Sequence, residues 1–115
     1  APFHCSLMKA AADKMKEKIL NTAFNIPKLN IISNVKALPT SKPNDIKQLL
    51  YEQIYSKVRW RESLIYMSDN KVNTFIEIGP GKILSGMIKR TIKNKEIINL
   101  KKISDIEKLS NEFKK

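Results

Sequence analysis

The apolar residues of this chain alternate between two spacings, and that alternation restricts its fold more than any other feature. Met8, Ala11, Ala12, Met15 and Ile19 recur every three or four residues, while Lys9, Asp13, Lys14, Lys16, Glu17 and Lys18 fill the opposite face. This spacing predicts an amphipathic helix that ends near Asn25 to Pro27. Leu29 to Val35 is instead a short apolar run rich in isoleucine and flanked by Pro27 and Pro39, which predicts a buried strand. Helical spacing resumes at Ile46, Leu49, Leu50 and Ile54, with Pro43 in the first turn, where a missing N–H does no harm. Trp60, Leu64 and Met67 mark a further helix that leaves at Asp69-Asn70. Val72 to Ile78 reads as a strand running into the turn Gly79-Pro80-Gly81. A helix with Ile83, Leu84, Met87, Ile88 and Ile92 on one face follows it. Ile97 to Leu100 reads as a short strand, and Ser104 with Glu107 suits a capping box for a last helix faced by Ile106, Leu109 and Phe113.

Helices alternating with short buried strands make an α/β chain with parallel pairing. Parallel strands are normally covered on both faces, and so few of them do not make a finished sheet. The expectation is one structural unit over 1–115 that is incomplete without further polypeptide upstream.

No apolar run approaches the roughly 18 to 20 residues needed to cross a bilayer, so no membrane partner is expected. A single cysteine, Cys5, forms no internal disulfide, which fits a reducing compartment. The formal charge of +11 rests on lysine, since only Arg59, Arg61 and Arg90 are arginine. Such a surface attracts acidic partners. A small basic nucleic-acid-binding module is one reading of the charge, but the lysines are scattered over helix solvent faces and no nucleic-acid motif accompanies them. No metal site is expected.

His4 is the only histidine and sits in Pro2-Phe3-His4-Cys5-Ser6, just before the first helix. Acyl transfer through serine needs a Ser on a strained G-x-S-x-G elbow together with oxyanion donors. Gly79, Gly81 and Gly86 frame no such serine, so the chain carries no nucleophile. Gly79-Pro80-Gly81-Lys82 invites a phosphate-loop reading. A Walker loop needs Gly five positions before the Gly-Lys pair and Ser or Thr after it, but Ile76 and Ile83 stand there.

Four segments in one order carry a resemblance. They are Pro2-Phe3-His4-Cys5-Ser6-Leu7-Met8-Lys9, Ile32-Ser33-Asn34-Val35, Gln53-Ile54-Tyr55-Ser56-Lys57-Val58-Arg59-Trp60 and Phe75-Ile76-Glu77-Ile78-Gly79-Pro80-Gly81-Lys82. Together they resemble the C-terminal third of the malonyl-CoA:acyl carrier protein transacylase family. The resemblance implies that residues 1–115 belong to an α/β-hydrolase-like large subdomain whose nucleophile half lies elsewhere, and that the chain alone is inactive. It implies that His4 is the general base and that the Gln53 backbone carbonyl orients it. It implies a malonyltransferase of fatty acid biosynthesis with no permanently bound cofactor, acting on malonyl-CoA and the phosphopantetheine of acyl carrier protein. Acyltransferase domains of polyketide synthases share several of these motifs and form the alternative. The expected partners are the upstream portion of the same enzyme and the acidic carrier, which Lys57, Arg59, Arg61, Lys82, Lys89 and Arg90 would meet. The expected location is the cytoplasm, or an organelle in a eukaryote.

Overall fold

The computed structural model describes residues 2–114. The chain divides into two compact units, one up to Tyr66 and one from Met67 onward.

In the first unit, a 3-10 turn at Ser6–Met8 leads directly into α1 (Lys9–Asn21). The helix stops at Asn21, earlier than the sequence reading, because Thr22 turns extended and its hydroxyl donates to the Lys18 carbonyl at 2.6 Å. The strand expected over Leu29 to Val35 shrinks to β1 (Ile31–Ile32), and its partner is the antiparallel β2 (Pro39–Thr40). Ser33 is the physical reason for this correction. Its carbonyl accepts from the Ala37 N–H at 2.8 Å and its hydroxyl from the Val35 N–H at 3.1 Å, so the chain turns back on itself through Ala37, whose φ is 54°. Next come α2 (Pro43–Gln53) and α3 (Trp60–Asp69), the latter spanning the division between the units. Ala12, Ala37, Ile46, Leu49, Tyr51 and Leu64 are buried. Leu50, placed on the buried stripe of α2 by its spacing, is exposed, and Tyr51 is buried instead.

The second unit is a β-α-β-α unit: β3 (Thr74–Ile78), α4 (Ile83–Thr91), β4 (Glu96–Leu100) and α5 (Ile103–Phe113). The two strands pair in parallel from Thr74↔Glu96 to Ile78↔Leu100. Phe75 and Ile88 are buried, whereas Ile76 and Ile78, on the other side of β3, are exposed. Ile103, Ile106 and Phe113 of α5 are exposed as well. The cap of α5 is not the expected Ser104 and Glu107 pair. Asp105 Oδ2 accepts from the N–H groups of Lys101 at 2.9 Å and Lys102 at 3.0 Å, and this sets the helix start.

Candidate active site

His4 precedes the 3-10 turn, and its backbone φ of 57° lies in the left-handed region, uncommon for residues other than glycine although Asn, Asp and His enter it more often than most. A residue held there is over-determined by its surroundings, and such residues gather at functional sites. The surroundings are visible. His4 Nδ1 lies 2.9 Å from the backbone oxygen of Gln53, a residue 49 positions away in sequence. Gln53 ends α2, and the last carbonyls of a helix have no N–H partner one turn further on, so this oxygen is available. A carbonyl only accepts, so the contact is a hydrogen bond when Nδ1 carries the proton. The neutral ring then holds its lone pair on Nε2, and the His4 side is open to solvent. An imidazole fixed in one tautomer with its other nitrogen free is equipped to take a proton from a hydroxyl or thiol.

The helix start after the glycine turn is occupied from within the chain. Glu77 reaches from β3 to the start of α4, where its carboxylate accepts from Leu84 N–H at 3.1 Å, Ser85 N–H at 3.0 Å and Ser85 Oγ–H at 2.7 Å. Asn99 Nδ2 adds a further bond at 3.2 Å. The helix N-terminus that a phosphate would use already holds a carboxylate from the same chain. These donors, the Ser85 hydroxyl foremost, keep Glu77 below the usual glutamate range. Gly79 and Gly81 have φ of 133° and 82°, and it is this backbone, not want of space, that calls for glycine.

No serine is hydrogen-bonded to His4 among the described residues. The buried serines are already engaged: Ser33 within its turn, Ser63 Oγ to the Arg59 carbonyl at 2.8 Å, and Ser85 to Glu77. No group of three metal-binding side chains lies close enough to hold an ion among the described residues. The cavity bordering Gln53 has a volume of about 80 Å³, far below the roughly 300 Å³ at which ligand pockets begin. Among the described residues, His4 meets the Gln53 carbonyl and the cavity beside Gln53 is too small for a ligand.

No family model matches the chain. Individual relatives do. It is 42% identical over 106 residues to the malonyl CoA-acyl carrier protein transacylase of Bacillus subtilis (strain 168), covering 92% of this chain and 33% of that protein. Its fold superimposes on the crystal structure of acyl-carrier-protein-S-malonyltransferase from Bartonella henselae with a TM-score of 0.91 and 37% identity, covering 100% of this chain and 37% of that one. Curated relatives named malonyl CoA-acyl carrier protein transacylase thus cover most of this chain. It spans about a third of the length of the curated relatives it matches. A malonyl-transacylase solved in complex with its type II PKS acyl-carrier protein is also similar, with a TM-score of 0.84 and 32% identity over 95% of this chain and 36% of that one.

Against that family background, the basic residues singled out in the sequence fall into two groups. Lys57 and Arg61 are exposed on and beside the start of α3. Arg59 is occupied by the fold: it pairs with Glu62, its N–H donates to the Asn34 carbonyl at 2.9 Å, and its Nη1 donates to the Lys36 carbonyl at 3.4 Å. In the second unit Lys82 precedes α4, while Lys89 and Arg90 occupy its last turn, where cations suit the helix dipole. One network was not legible in the sequence. Tyr51 of α2 donates its hydroxyl to Asp13 Oδ1 at 2.5 Å, and Lys9 Nζ donates both to the Tyr51 oxygen and, at 2.7 Å, to Asp13 Oδ1. The bond from Lys9, with Tyr51 second, holds Asp13 below the usual aspartate range, and the Asp13 acceptor raises Tyr51.

Proposed function

We propose that this chain is the C-terminal segment, residues 1–115, of the α/β-hydrolase-like large subdomain of a malonyl-CoA:acyl carrier protein S-malonyltransferase of fatty acid biosynthesis. The observation that carries the reading is the 2.9 Å contact between His4 Nδ1 and the Gln53 carbonyl. In this reading Nε2 of His4 takes the proton from a serine supplied by the upstream portion of the same enzyme as that serine attacks the malonyl thioester. The imidazolium then protonates the departing coenzyme A thiolate. In the second half-reaction His4 takes the proton from the phosphopantetheine thiol of acyl carrier protein as it attacks the acyl-serine, and returns it to the serine. No cofactor enters. Gln53 acts through its main chain, stabilising the imidazolium and fixing its orientation.

Uncovered apolar surface supports the incompleteness of the chain. Ile76 and Ile78 on one side of a parallel sheet, with Ile103, Ile106 and Phe113 on the helix after it, are what a missing layer of the same subdomain would cover. Lys57, Arg61, Lys82, Lys89 and Arg90 supply positive charge for an acidic carrier, with Arg59 contributing less because Glu62 neutralises it. A polyketide carrier is the alternative acceptor, since one similar transacylase is solved with such a carrier.

The test is a chimera in which residues 1–115 replace the matching segment of the Bacillus subtilis relative. The expected result is transfer of malonyl from malonyl-CoA to acyl carrier protein, absent when the segment is deleted. A folded chimera that forms the acyl-serine but transfers nothing, or that forms no acyl-serine, contradicts the proposal.

A further inference from the structure

The contact between His4 and Gln53 joins two elements, the segment before α1 and the end of α2, so its length depends on how those helices are held together. Lys9 and Asp13 lie one turn apart on α1 and pair with each other, but both side chains are about half exposed, and such a pair alone fixes little. Tyr51 changes this. It is 6% exposed, comes from α2, and inserts its hydroxyl between the two charges, accepting from Lys9 and donating to Asp13. Its ring meets Tyr55 edge to face at 5.4 Å, and the Lys9 and Lys16 ammonium groups lie 4.9 and 5.1 Å from its centre. The hydroxyl thus has one allowed orientation, and each partner is bound from more than one side.

The location matters as much as the bonds. Tyr51 stands two residues before Gln53, less than one helical turn from the carbonyl that receives His4. Lys9 opens α1, whose preceding 3-10 turn carries the chain back to His4. The network therefore ties α1 to α2 beside both ends of the His4 contact, and a second tie, Lys47 Nζ donating to the Leu20 carbonyl at 3.0 Å, lies at the other end of α1.

We infer that Tyr51, Lys9 and Asp13 are positioning residues for His4: they clamp α1 to α2 so that the Gln53 carbonyl meets Nδ1 and fixes the tautomer with Nε2 free. The catalytic meaning of this clamp rests on His4 being the general base. The clamp itself does not, and its test does not use turnover.

The chain has one histidine, so the nitrogen-15 spectrum of its imidazole has a single source. Long-range proton–nitrogen correlation at a pH above the imidazole titration reads which nitrogen carries the proton. The wild-type chain is expected to show Nδ1 protonated. Tyr51→Phe, which keeps the ring and removes only the hydroxyl, is expected to lose that preference and show exchange between tautomers. Asp13→Ala gives the same reading from the α1 side with α2 untouched. Ile46→Val, a core change in α2 away from the clamp, is expected to keep the wild-type tautomer. The inference is overturned if the wild type lacks the Nδ1–H tautomer, if both clamp variants retain it, or if Ile46→Val loses it equally. Loss of amide dispersion in both clamp variants also counts against it, because the network would then serve the fold as a whole. A failure of His4 as general base would appear instead as an active chimera bearing His4→Ala.

Discussion

Enlarging Ala12 puts the packing of α1 on α2 to a direct test. Ala12 is fully buried. It shares its helix face with Lys9, Asp13 and Lys16, all of which reach Tyr51, so that face is the one turned to α2. Ala12→Leu adds three carbons where no solvent-accessible space exists. With room to spare, burying them would stabilise by about 0.8 kcal/mol each, but in a filled interface the clash dominates and the net cost is about 1–3 kcal/mol. For a chain of this length each kcal/mol moves the midpoint by about 4 °C, so thermal unfolding followed by far-ultraviolet circular dichroism should shift down by about 4–12 °C. Ala10→Leu, on the exposed side of the same helix, should stay within about 0.5 kcal/mol of wild type. The helices part in the larger variant, so the His4 tautomer should loosen along with stability. An Ala12→Leu chain as stable as wild type, or a destabilised one with its His4 tautomer unchanged, would refute the argument that this packing sets the site.

Glu77 is held below the usual glutamate range, so its contribution to stability is complete above about pH 4.3 and is lost as pH falls through the lowered folded value. Urea unfolding across that acid range should therefore show a steeper loss in wild type than in Glu77→Gln, and parallel curves would exclude Glu77 as the source. The 115-residue chain alone should acquire no malonyl adduct on serine after incubation with malonyl-CoA, as read by intact mass. In the active chimera, charge reversal at Lys57 and Lys89 should lower the second-order rate with acyl carrier protein and flatten its salt dependence. Acylation by malonyl-CoA should barely change, and an equal effect on both half-reactions would remove these lysines from the docking surface.

The helices were legible because their apolar residues keep a strict period, and the β3 and β4 strands because β-branched runs end at glycine or charge. The strand at Leu29 to Val35 was overread because Ser33 folds the backbone locally, and a hydroxyl bonding to its own chain leaves no mark in hydrophobic periodicity. The capping box of α5 was misplaced by two residues, because its N-cap is Lys102, a residue type that gives no capping signal, and Asp105 three residues on accepts from its N–H. His4 stood out through its motif, and its geometry needs Gln53 from 49 residues away, a distance over which local pattern says nothing. The same distance hid the clamp: Lys9 and Asp13 read as a solvent face, and Tyr51 gave no sign beyond being an aromatic residue just off the α2 stripe.

The most direct measurement of the central claim compares two substitutions in the malonyl-transferring chimera. His4→Ala removes the base and should lower transfer by about 10²–10⁴-fold. Gln53→Ala leaves the carbonyl that meets Nδ1 in place and should lower it far less. Near-normal transfer by the His4→Ala chimera, or a loss at Gln53→Ala as large as that at His4→Ala, would contradict the assignment of His4 as a base oriented by the main chain.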